Sequence, residues 1–148
     1  MQQAILVFIA VLAGMVLPLQ ASLNAKMGAV VQNPLLGSLL SFLVGTVGLL
    51  VYIVVSRVPI SNLLMAKTAP AILWLAGILG AFYVTAIILL VPRLGVALTF
   101  GLVIAGQMVV SILFDHFGVL GTPVQPFNWM RLLGVMMLIG GVLILRKY

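Results

Sequence analysis

The sequence predicts an all-α integral membrane protein with five transmembrane helices per protomer, and three observations predict it. Five apolar stretches of about 20 residues fill almost all of the 148-residue chain, and about 20 helical residues cross a hydrocarbon core roughly 30 Å thick. Hydrophobic residues make up 65% and charged residues 5%, with a mean hydropathy of +1.42. A water-soluble domain needs a polar coat that this composition does not supply. Most of the prolines and charges fall at the ends of the stretches or between them, where a helical membrane protein turns.

The elements follow in order, within one integral membrane domain over residues 1–148. The first helix is expected over about 4–31. Met1-Gln2-Gln3 has no basic residue before the apolar run, so the segment reads as a retained helix, not a cleaved signal. Pro18 lies inside it and removes one backbone donor. Asn33-Pro34 marks a break. The second helix, about 34–56, stops at Arg57-Val58-Pro59, and a short amphipathic connector follows from Ile60 to Thr68. The third, about 70–91, is expected to stop at Pro92-Arg93-Leu94-Gly95. The fourth covers about 96–117. A loop with Gly118, Gly121, Pro123 and Pro126 leads to Asn128, an N-cap candidate for the fifth helix at about 128–146. Trp74, Phe127, Trp129 and Tyr148 lie near helix ends, where aromatic belts sit.

Small residues recur at helical spacing: Gly37, Ser41 and Gly45 in one row, Ala97, Gly101 and Ala105 in another, with Gly77 and Ala81 as a pair. In lipid, apolar bulk gives helices little reason to associate, so small rows are the sites of close approach.

Composition excludes several classes. The seven Lys/Arg against one acid, Asp115, give a formal charge of +6. The basic residues are scattered at the ends of apolar runs, which suits snorkelling to anionic lipid headgroups and not nucleic acid. There is no Cys, and only one His, so no disulfide, thiolate metal site, cofactor or catalytic triad is expected and the chain is not read as an enzyme.

Charge placement carries more. Five spans put the termini on opposite sides. One side receives Lys26, Arg93, Arg146 and Lys147, and the other Arg57, Lys67 and Arg131. This four-to-three balance gives the positive-inside rule almost nothing to act on. Copies inserted both ways would pair as an antiparallel homodimer, each protomer half of a ten-helix inverted-repeat transporter fold. The plainer alternative is that the one-residue bias, or Lys26 within the bilayer, sets a single orientation.

Polar residues at membrane depth are the site candidates. Gln20 and Asn24 share a face of the first helix, Gln107 is central in the fourth with Ser111 four residues on, and Tyr83 is near the middle of the third. Gln20, Asn24, Tyr83, Gln107 and Ser111 are expected to bind a polar solute. A lone intramembrane Gln equally serves as a bond between helices. Asp115 is eight residues beyond Gln107, about 12 Å along the axis. With His116 it is a candidate gate or proton-coupling pair. Its depth near the hydrocarbon boundary favours an ion pair with Arg131, Arg93 or His116.

The stretch Gly106-Gln107 … Ser111 … Asp115-His116-Phe117-Gly118, preceded by Pro92-Arg93-Leu94-Gly95, resembles the bacterial YdcZ-type five-helix membrane proteins of the drug/metabolite transporter superfamily. Gly14 … Gln20 … Asn24 … Gly28 and Gly77 … Gly80-Ala81 … Tyr83 fit the same pattern, so the resemblance spans the chain. It implies half-size transporters, with dual topology for those that occur singly, and a partner that is the inverted copy. It implies no substrate and no catalytic residue. The first-helix glutamate of the related small multidrug resistance proteins has no counterpart, since the chain has no Glu.

The expected function is secondary active transport of a small polar solute or drug-like metabolite, by alternating access, in the bacterial inner (cytoplasmic) membrane. The alternatives are a small dual-topology ion channel and a non-transporting structural subunit. Flux separates them: a channel passes current, a carrier shows saturable counterflow, and a structural subunit does neither.

Overall fold

The computed structural model describes residues 2–147 and contains five helices long and apolar enough to cross a membrane. They are α1 (Gln2–Val30), α2 (Pro34–Val55), α3 (Ala71–Leu94), α4 (Val96–Phe117) and α5 (Trp129–Lys147). Short 3₁₀ segments at Ile60–Thr68 and Val119–Gly121 complete the secondary structure, and there is no strand among the described residues. Tyr148, expected at a helix end, lies outside the described residues. Long apolar side chains such as Val30, Val55 and Phe82 remain more than 70% exposed, as a lipid-solvated helix surface allows.

The helix ends follow from local chemistry. Asn33 caps α2: its Oδ1 accepts the Leu35 N–H at 2.9 Å and the Leu36 N–H at 3.3 Å, with Pro34 at the first turn. Asn128 does the same for α5, accepting the Met130 N–H at 2.9 Å. The third helix departs from expectation. It runs through Pro92 to Leu94 and ends where Gly95 turns to φ +80°. A proline removes only its own donor, and one missing bond in the last turn does not stop the helix. The glycine does, because its positive φ and extended ψ suit no side chain.

Contacts gather the chain into two compact units, Met1–Arg93 and Leu94–Tyr148. In the first unit, α1 and α2 cross at two glycines. A Cβ on Gly37 would lie 2.8 Å from Gly28 Cα, and one on Gly28 would lie 2.7 Å from Ile88 Cγ2 of α3. The backbones approach this closely only because both side chains are absent. Ile88 is 4% exposed against this crossing. Ser38 of α2 and Thr85 of α3 add a hydroxyl–hydroxyl bond of 2.8 Å.

In the second unit, α4 and α5 pack as a hairpin. Gly101 accommodates Val142: a Cβ there would lie 2.9 Å from Val142 Cγ2. The connecting loop folds back on the end of α4. Gly118 ends that helix in the left-handed region at φ +60°. Thr122 donates its hydroxyl to Phe114 O and Val119 O, and the Gln125 N–H bonds Asp115 O at 2.8 Å.

Candidate functional site

Helical spacing sets one side of a groove on α1 and the other on α2. Gln20 and Asn24 are one turn apart on α1, as are Ser41 and Gly45 on α2, so each pair shares a face. The fold turns these faces toward a common groove of about 330 Å³, which Leu23, Met27, Leu40 and Val44 also line. Ser41 and Gly45 flank the midpoint of α2, so the groove opens at mid-depth of that helix. Gly45 has no atom within 4 Å of the place a Cβ would take, so its missing side chain is open groove and not helix contact. No ionisable side chain lines it.

The polar groups here are uncommitted, unlike most of the Ser and Thr hydroxyls in the helices. Ser22, Ser38, Thr46, Thr85 and Thr99 each donate to the carbonyl four residues back. That bond satisfies a hydroxyl in lipid without a partner helix. Ser41 makes no such bond, and neither Gln20 nor Asn24 has a side-chain hydrogen bond among the described residues. An amide without a partner in an apolar medium costs several kcal/mol. The groove gathers two such amides and one hydroxyl.

The remaining candidates are placed differently. Tyr83 is half-buried near the middle of α3 and is not among the groove residues. Gln107 and Ser111 belong to the second unit, one turn apart and exposed on α4, with Gln107 at the helix midpoint. Neither of their side chains is bonded among the described residues. In the sequence Ser41 is legible only as a member of a small row, a hydroxyl standing between two glycines.

Asp115 and His116 sit at the end of α4 and are tied to the loop and α5. Arg131 Nη1 reaches Asp115 Oδ2 at 3.2 Å, and Arg131 Nη2 donates to Gln125 Oε1 at 2.6 Å. Gln125 closes the ring through its backbone bond to Asp115 O. His116 Nδ1 accepts the Phe127 N–H at 3.3 Å, which places the imidazole beside the loop. Beneath this loop lies a second, apolar cavity of about 330 Å³, lined by Ile112, Phe117, Phe127 and Val135 among others. The arrangement anchors the α4–α5 connection. Among the described residues, no group of three or more His, Cys, Asp or Glu could hold a metal ion.

Five apolar helices, glycine-mediated crossings and an uncharged mid-depth groove define a multi-pass helical membrane protein. The family model described as "Putative inner membrane exporter, YdcZ" matches residues 5–144, and the chain belongs to that family. This is the family whose motifs the Gly-Gln and Asp-His-Phe-Gly stretches resemble, and its description fits a membrane transporter in broad terms. Neither a curated protein nor a solved structure matches the chain.

Proposed function

We propose that the chain is a secondary carrier for a small, uncharged polar solute, working as an antiparallel homodimer in the bacterial inner membrane. The observation that carries this reading is the gathering of Gln20, Asn24 and Ser41, all without partners, in one groove at mid-depth. Two amides and a hydroxyl offer both donors and acceptors, and the apolar walls would hold the carbon skeleton of a neutral solute. Gln107 and Ser111 serve the same purpose on their own face of α4. The near-even distribution of Lys and Arg supports dual insertion, and the exporter description of the family supports outward transport. Alternating access then arises as the two copies exchange inequivalent shapes, each exchange reversing the side to which the groove opens.

The test is counterflow in proteoliposomes. A thermal-shift screen of metabolites and drugs first finds a stabilising solute, whose labelled form is then followed. Saturable counterflow that falls at least tenfold in Gln20→Leu and in Gln107→Leu, with the dimer intact, is the expected result. Single-channel current in place of saturation would mean a channel. Full counterflow in both variants would remove these residues from the site.

A further inference from the structure

We propose that a third pocket, at the turn joining α1 to α2, holds the headgroup of an anionic phospholipid, with Arg93 as its counter-ion. The pocket has a volume of about 280 Å³ and shares no residue with the solute groove. Gln32 and Asn33 of the turn and Arg93 at the end of α3 form its polar part, and Ala29, Ile88 and Leu89 its apolar part. These polar residues all lie at helix ends, where a span meets the headgroup layer. Leu89, 38% exposed, is four residues before Arg93, hence about 6 Å deeper along the helix. The pocket is thus polar at the membrane boundary and apolar below it, the profile of a phospholipid and not of a free ion.

Charge arithmetic identifies the sign of the occupant. Arg93 makes no hydrogen bond or ion pair among the described residues. The chain has one acidic side chain, Asp115, and Arg131 already holds it at 3.2 Å. A second copy of the chain brings the same single acid with the same partner. No carboxylate side chain therefore remains for Arg93 in a monomer or in a dimer, and an anionic headgroup would supply the missing charge. The N-terminus of α2 is not that anion's site, because Asn33 already takes the Leu35 and Leu36 N–H groups. Basic pockets between membrane helices do bind anionic headgroups by this means. Arg93 supplies the planar fork that pairs with phosphate oxygens.

The proposal stands apart from the transport reading and is tested without transport. The protein is purified in detergent, and bound lipid is counted by native mass spectrometry alongside melting temperature. Phosphatidylglycerol, phosphatidylcholine and glycerol 3-phosphate are the probes. Phosphatidylglycerol should bind more tightly than phosphatidylcholine and raise the melting temperature further. Arg93→Gln should weaken phosphatidylglycerol about fivefold, the scale of one basic residue near an anionic surface, and leave phosphatidylcholine unchanged. Lys67→Gln should leave both unchanged. Equal binding of the two lipids, full phosphatidylglycerol binding in Arg93→Gln, or an equal weakening by Lys67→Gln would overturn the proposal. Should Arg93→Gln not fold, competition on the wild-type protein decides. Glycerol 3-phosphate that displaces the lipid at equal concentration would mean a free-anion site and overturn it; failure to displace it supports the acyl-chain contacts.

Discussion

At the scale of single residues, the same residue type does opposite things in different places. Gly37 and Gly45 stand in one sequence row, yet Gly37 touches the backbone of α1 and Gly45 faces open space. Gly37→Ala puts a methyl group 2.8 Å from Gly28 Cα, so α1 and α2 must separate. The expected cost is about 1–3 kcal/mol, read as a lower melting temperature in detergent. Gly45→Ala should shift stability by no more than about 0.5 kcal/mol. Asp115 poses a different question. Its side chain and that of Arg131 are 40% and 36% exposed, so water and salt screen their 3.2 Å pair. Asp115→Asn is expected to cost at most about 1 kcal/mol and to leave counterflow in place. Counterflow lost in a folded Asp115→Asn protein would instead make this carboxylate part of the coupling. That Asp115 would find Arg131 was legible as one of three pairings. The choice among them depended on how the loop folds back, through Thr122, Gln125 and Phe127.

At the scale of elements, the helices were legible because lipid imposes their length and apolar character. Their ends were legible where a cap announces itself, as at Asn33 and Asn128. The end of α3 was not, because Pro92 reads as a stop in any local rule while the helix tolerates it one turn before Gly95. The groove was half legible. Gln20 and Asn24 were visible as a polar step on one helix, but Ser41 became visible only when α2 was laid against α1. This pairing yields a prediction that belongs to the two helices together. Gly45→Leu should fill the groove without disturbing the crossing at Gly28 and Gly37. Counterflow should fall at least tenfold while the melting temperature changes by less than the Gly37→Ala variant. Unchanged counterflow would show that the groove is not the solute path.

At the scale of the whole molecule, the question is orientation. Four basic residues on one side and three on the other leave little electrical preference. On the dual-insertion proposal, two added Lys in the Ile60–Thr68 connector should lock a single orientation and silence the proposed homodimer. A partner biased the other way should restore transport. The absence of Cys allows this to be read with single introduced cysteines near the C-terminus, labelled from each side of the membrane. Labels found on one side only, in the unmodified chain, would end the dual-insertion reading. The sequence by itself determined that this protein lives in a bilayer as five helices, since hydropathy, length and breaks are local quantities that lipid reads directly. It also identified the family. Only the tertiary structure decided which glycines are contacts and which are empty space, that Ser41 joins Gln20 and Asn24, and that Arg131 takes the single acid. Those facts depend on which helix faces meet, and in a medium as apolar as the side chains, close backbone approach and a few hydrogen bonds decide that choice.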